Sequence, residues 1–343
     1  MIDRGAILCI IDGMTDEEFD ILQLPHLYSA MRRGAYGSFR TVPGGFAPES
    51  YPCIASLLGI PGHELPRRAR GYLEAIGEGI AVAKDDLILR GSWMRVDCGG
   101  RICGVSERAP SFSPPEQVSY YSLGGYKAVL ILTGTASLDT PVTVPPYAAI
   151  GKLVEDILPI GNEVLQKVAH QSLMQDTVLL PWGESALCAL PPFRFRAAAI
   201  AAAPIVKGLC RAMDIAVHTD PEFTADTDTD LSLKTEQALA LVRVNPITIL
   251  HIEGADEAAH RRNSGQKRAF LRKVDDEVIA RLCGSGCTVL FCSDHGTSPA
   301  TGEHLGGAQP FVLVGTDRKG DLGLLPASAA TELLKDTVAN RFG

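Results

Sequence analysis

Residues 288–304 read TVLFCSDHGTSPATGEH. Five apolar or β-branched residues end in Ser-Asp-His-Gly, and a loop of Gly, Thr, Ser and Pro then carries a second histidine. A short apolar run of this kind suits a strand covered on both faces, as in a parallel sheet. Polar groups at its C-terminal end fall where α/β folds collect their ligands. Working outward, the same pattern recurs. AILCII (6–11), AVLIL (128–132), TVLL (177–180) and TILHI (248–252) are further buried-strand candidates, and 197–213, 231–243 and 266–283 are helix candidates. In the last, Phe270, Val274, Val278 and Leu282 share one face at four-residue spacing. Alternating strands and helices predict an α/β fold with a mostly parallel sheet sandwiched by helices.

The middle of the chain breaks this rhythm. GGRICG (99–104), SERAPSFSPPEQ (106–117) and DTPVTVPPYA (139–148) are rich in turn residues. Residues 95–175 therefore read as a small inserted α+β cap, on a core built from 1–94 and 176–343, with linkers near 93 and 178.

Composition narrows the function. The 343 residues include 46% hydrophobic and 21% charged side chains, the balance of a globular protein. With 32 Lys and Arg against 40 Asp and Glu, the net charge of −8 gives no general attraction for nucleic acid or anionic membrane. The longest apolar run, AAAIAAAPIV (197–206), is half of what a bilayer span needs. The N-terminus lacks the basic start of a secretory signal. Nine cysteines without a CxxC pair are expected to be free buried thiols in a reducing cytoplasm.

The chemistry-bearing residues gather in a few places. Four of the eight histidines fall between 251 and 304. In HIEGADEAAH, Asp256 and His260 stand four apart on one side of a helical turn, a spacing that suits either a cation or a surface ion pair. Asp294 and His295 follow a strand directly, and His304 can fold back from its loop; a capping aspartate beside a stray histidine is the simpler alternative. Asp12 ends another buried run and is equally compatible with a turn. Together these carboxylates and imidazoles suffice for two divalent ions such as Mn²⁺ or Zn²⁺. Ser50, before the helix-like PCIASLL, is a candidate nucleophile or a plain N-cap. Two cations about 4 Å apart form a clamp for phosphoryl transfer. A Rossmann fingerprint after the first strand and an HExxH zinc motif are both absent.

IIDGMTDEE, PESYPCIASLLGI, ARGYLEAIGEGI, HIEGADEAAH and SDHGTSPATGEH follow the order and spacing of the archaeal-type cofactor-independent phosphoglycerate mutases, which the chain resembles. These belong to the alkaline phosphatase superfamily. The resemblance covers the first ninety residues and about 195–343. It implies an alkaline-phosphatase-like core, a phosphoserine at Ser50, one metal on Asp12, Ser50, Asp294 and His295, and another on Asp256, His260 and His304. The ions would be Mn, Zn, Mg or Co. Lys207, in APIVKGLC, and Arg90 match catalytic positions, and Arg70, Arg90 and Lys207 match substrate-binding ones. ADTDTD (225–230), otherwise a solvated acidic loop, matches a family loop. The implied activity is a cytoplasmic, glycolytic isomerase that interconverts 3-phosphoglycerate and 2-phosphoglycerate, a small phosphorylated metabolite. The departures fall in and beside the cap, which is shorter than in the family. TPVTVPPY replaces a family Asp-Pro-His, Pro181-Trp182-Gly183 replaces Arg-Gly, and Ser92 replaces asparagine. A phosphomonoesterase, a phosphotransferase for a small alcohol resembling homoserine, and an inactive metal-binding regulator are the alternatives.

Overall fold

A computed structural model describes residues 5–135, 141–174 and 176–338; Asp139 and Thr140 of the Pro-rich stretch and Met1–Arg4 of the N-terminus lie outside these. The chain divides into two compact units, one of residues 1–65 with 191–343 and the other of 66–190.

The first unit is built on an eight-stranded sheet. Its strands are β1 (Ala6–Ile11), β3 (Ala35–Arg40), β4 (Ala197–Ile200), β5 (Ala216–His218), β6 (Ile247–Ile252), β7 (Thr288–Cys292), β10 (Ala308–Val314) and β11 (Gly320–Pro326). They lie in the order β5-β4-β6-β1-β7-β10-β3-β11. The five strands from β5 to β7 run parallel, and β10 is antiparallel to both its neighbours. Every residue of β1, β4, β6 and β7 is buried, as strands covered on both faces should be. A small ribbon of β2 (Gly13–Thr15), β8 (Gly296–Thr297) and β9 (His304–Leu305) sits beyond the ends of β1 and β7.

The helices are α1 (Pro25–Arg33), α2 (Ser50–Leu57), α3 (Pro204–Ala212), α4 (Leu231–Leu241), α5 (Gly254–His260), α6 (Ser264–Val274) and α7 (Ala329–Val338). α6 continues through a π turn, Asp275–Ile279, into Ala280–Gly284, so the expected helix over 266–283 forms with one extra residue in its ladder. Phe270, Val274, Val278 and Leu282 join Ile7, Ile11, Leu250 and Phe291 in the main core. The helix expected over 197–213 forms only from Pro204. AAAI is instead β4, pairing with β6, because burial in a parallel sheet overrides alanine's helix preference.

The second unit is α+β. Its long central strand, Leu87–Val96, pairs antiparallel with Thr177–Ser185 along one edge and with Lys127–Leu132 and then Ile102–Val105 along the other; Val118–Ser122 completes the sheet. The helix Glu163–Ser172, N-capped by Asn162, buries Leu165 and Val168 with Trp93, Leu130 and Leu179. The helix Arg70–Gly77 brings Ala75 to Ile88, Val129 and Ile131.

These boundaries, 65/66 and 190/191, differ from the expected 94/95 and 175/176. AVLIL and TVLL belong to the antiparallel sheet, since an apolar run covered on both faces reads alike in either kind. The linkers expected near 93 and 178 lie inside paired strands, with Trp93 opposite Leu179 and Met94 opposite Val178. Of the nine cysteines, all free, Cys98 and Cys103 are exposed and Cys188 and Cys283 half-buried, so burial holds for only five.

Candidate metal centre and nucleophile

β6, β1 and β7 lie side by side in parallel, with Ile10 opposite both His251 and Cys292. Their C-terminal ends therefore release Glu253, Asp12 and Ser293-Asp294-His295 at one place. α5 follows β6 at once and sets Asp256 and His260 one turn apart. α2 begins at Ser50, with Glu49 in the N-cap position, so Ser50 is the first helical residue rather than its cap.

Two donor groups result. In one, His295 Nε2 lies 3.5 Å from Asp12 Oδ1 and 3.4 Å from Asp294 Oδ2. Ser50 Oγ stands 3.3 Å from His295 Nε2 and 3.5 Å from Asp12 Oδ2. In the other, His260 Nε2 is 3.1 Å from Asp256 Oδ2, His304 Nε2 is 3.6 Å from Asp256 Oδ1, and the two Nε2 atoms are 3.0 Å apart. The groups adjoin: the His295 and His304 rings stack with centroids 4.1 Å apart. His260 Nδ1 lies 2.8 Å from the Gly302 carbonyl and His295 Nδ1 3.2 Å from that of Gly296, contacts that in the neutral ring favour Nδ1–H and turn the Nε2 lone pair inward.

The electrostatics call for a cation. Asp12, Asp256 and Asp294 are all nearly inaccessible, and Asp12 Oδ1 and both oxygens of Asp294 have no hydrogen-bond partner among the described residues. Burial, and then the charge of Asp294, pushes Asp12 well above the usual carboxylate range. Burial and Asp256 push Asp294 up to about 7. Burial holds His295 and His304 below the ordinary imidazole value. His260 goes the other way: Asp256 overcomes the effect of burial and raises it to about 9. Orphaned buried carboxylate oxygens beside neutral imidazoles form an N/O donor set for divalent cations, and a bound cation would neutralise them. The residues present therefore fit the metals implied above.

Gly13 is part of this construction. Its φ is +62°, and a Cβ there would lie 2.7 Å from Asp256 Cα and 2.9 Å from Thr297 Oγ1. Only glycine lets the chain leave Asp12 and pass so close to Asp256.

Sequence reasoning passed over His251. It is fully buried on β6, its Nε2 is 3.3 Å from Asp12 Oδ2, and burial, with the Lys234 charge, drives it down to about 3. A histidine inside the apolar run TILHI was the available signal. A third cluster, His26, Asp275 and Asp276, has a structural role: Asp275 accepts the backbone N–H groups of His26 and Leu27 at the start of α1.

Lys207 lies half-buried on the first turn of α3, a helix that packs against α2. In the 225–230 loop, Asp226 takes a bidentate pair from Arg261 and Asp230 caps α4, so the acidic run is tied into the fold. Arg70 and Arg90 lie in the second unit. Both bind Glu74, with Arg70 Nε at 3.0 Å and the Arg90 Nη1 contact shorter. Arg70 also stacks over Trp182 at 4.6 Å, and Trp182 Nε1 donates to Ser92 Oγ at 2.9 Å.

With this geometry established, the comparisons define a class first. Residues 192–340, which hold all but two of the donor residues above, match the Metalloenzyme superfamily, a match that supports use of divalent metal. Residues 31–178 match the family described as 2,3-bisphosphoglycerate-independent phosphoglycerate mutase. A protein of that description from Methanopyrus kandleri is 25% identical, covering 93% of this chain and 90% of its own length. One from Archaeoglobus fulgidus is 24% identical, over 92% and 90%. Among solved structures, the PH0037 protein from Pyrococcus horikoshii has a TM-score of 0.73 at 20% identity over 100% and 99% of the two chains. The cofactor-independent phosphoglycerate mutase from Thermoplasma acidophilum has 0.56 at 18%, over 98% and 100%. These two likenesses concern the fold. Among the described residues, no helix is long and apolar enough to cross a membrane.

Proposed function

We propose that the chain interconverts 3-phosphoglycerate and 2-phosphoglycerate through a phosphoserine at Ser50. The observation that carries the reading is the Ser50 hydroxyl at hydrogen-bond distance from a buried carboxylate–imidazole group that holds unpartnered oxygens. Bound divalent cations, Mn²⁺ or Zn²⁺ foremost and Mg²⁺ or Co²⁺ after them, would lower the hydroxyl pKa and offset charge on the phosphoryl oxygens. Asp12, Ser50, Asp294 and His295 would hold one, and Asp256, His260 and His304 the other.

The residues then divide the work. Ser50 Oγ bonds to phosphorus as the bond from phosphorus to the substrate's 3-oxygen breaks, and the proton lost by Ser50 ends on that oxygen. Glycerate reorients, its 2-oxygen takes the phosphoryl group from Ser50, and its proton returns to Ser50. Ser50 stands at the N-terminus of α2, where the helix dipole favours an anion. Lys207 is the proposed counter-charge to the phosphoryl oxygens, and Arg70 and Arg90 are the proposed binders of the substrate's anionic groups. The 66–190 unit is the proposed cap.

One observation favours a second reading, hydrolysis at the same serine. Trp182 and Ser92 bond to each other where the resemblance leads one to expect arginine and asparagine, so glycerate contacts are fewer. A coupled isomerase assay on chelator-stripped protein separates the two. Conversion that returns with Mn²⁺ and needs no bisphosphoglycerate supports the mutase; its absence with every divalent ion contradicts it.

A further inference from the structure

The β2-β8-β9 ribbon is fastened by a lysine that the chemistry above does not use. Lys267, on α6, is fully buried. Its Nζ donates to the carbonyls of Thr297 at 2.7 Å and Thr15 at 3.0 Å, and lies 3.0 Å from Asp16 Oδ2. An ammonium has three N–H donors and no acceptor, so these three oxygens satisfy it completely. A buried ion pair is often no more stabilising than apolar residues of similar size, so packing alone does not account for a charge here.

Its partners do. Thr15 and Thr297 end β2 and β8, which pair with each other through Gly296. Thr297 also pairs across the ribbon with His304, and His295 immediately precedes β8. The Thr297 hydroxyl donates to Asp256 Oδ1 at 2.5 Å. One ammonium thus holds the backbone of the residue whose side chain orients a carboxylate of the second donor group.

We propose that Lys267 is a positioning residue, fixing Thr297 and through it Asp256 for the cation held by Asp256, His260 and His304. The proposal rests on reading those three as ligands. Outer partners of this kind typically change metal affinity by about 10- to 100-fold.

The test is Mn²⁺ binding to the full chain, followed by electron paramagnetic resonance of the free ion. The step that His260→Ala removes identifies the second site. Lys267→Met and Thr297→Val should each weaken that step about 10- to 100-fold and leave the other within about twofold. The double variant should be little weaker than Lys267→Met, since the two residues act in series. A native step in either single variant, equal weakening of both steps, or losses that multiply overturns the inference. If Lys267→Met does not fold, Lys267→Arg takes its place, because a planar guanidinium cannot reach the same three oxygens; selective weakening supports the inference and native binding overturns it. Native protein that binds no ion overturns the ligand reading as well, whereas two native steps left intact in the variants overturn this inference alone.

Discussion

The hydroxyl oxygen of Ser50 lies 3.3 Å from Nε2 of His295, across 245 residues of sequence. The first residue of α2 and the C-terminal end of β7 meet there because each projects from a rigid buried element. Asp12 completes the contact from the neighbouring strand. Ser50, the proposed nucleophile, is placed by backbone architecture, so single side-chain changes at the site should alter chemistry or ion binding without unfolding the sheet.

Ion binding should release protons in two different pH windows. Asp294 titrates at about 7 in the ion-free protein, so ions at the Asp12–Asp294–His295 group displace a proton below that pH. Asp12 is raised as well, so affinity there should climb steeply with pH while these carboxyls give up their protons. His260 titrates at about 9, so the second group should continue to gain affinity toward that pH. Calorimetry in buffers of different ionisation enthalpy reads the proton count; one shared window for both sites would contradict the assignment.

Gly13→Ala should be disproportionately harmful for one methyl group. The positive φ and the clash with Asp256 Cα and Thr297 Oγ1 predict a loss of about 1–3 kcal/mol, together with weakened ion binding. Thermal denaturation with and without Mn²⁺ checks both; a native melting curve would show that the strand can shift aside.

In the ion-free protein, His251 links stability to acid. Its folded value of about 3 lies below the unfolded value of about 6.5, so the unfolded chain binds more protons between these limits. Stability from this group is complete above about 6.5 and lost as pH falls toward 3, by at most about 1.4 kcal/mol per unit. Asp12 and Asp294 act in the opposite sense, so the comparison is the pH slope of native protein against His251→Gln. Equal slopes would contradict the assignment.

In the second unit, Arg90 and Glu74 form a pair with side chains only 4% and 2% exposed. Arg90→Met leaves a buried carboxylate with only Arg70 and should cost about 3–5 kcal/mol in urea denaturation. The Arg90→Met, Glu74→Gln double variant should recover much of that. A single variant as stable as the native chain would mean that the pair opens to water.

How much of this was legible in the sequence depends on the kind of information. Asp12, Asp294 and His295 could be picked out because each follows an apolar run closely, although such a run reads alike in a parallel and an antiparallel sheet. Asp256 and His260 follow from helical spacing. His251 was obscured by its own apolar surroundings, which read as core. β4 was mistaken for helix because alanine's local preference says nothing of a neighbouring strand. The unit boundaries were missed for a similar reason, since the strands flanking Trp93 and Leu179 do not reveal which sheet they join. Lys267 carried no signal beyond a charge on a helix, and its three oxygen partners come from distant turns of chain.

The most direct test of the account is ³¹P magnetic resonance of 3-phosphoglycerate with Mn²⁺-loaded native protein and with Ser50→Ala. The account predicts 2-phosphoglycerate without inorganic phosphate for the native chain, and no conversion for the variant. Isomerisation that survives in Ser50→Ala, or inorganic phosphate as the sole product of the native chain, would contradict it.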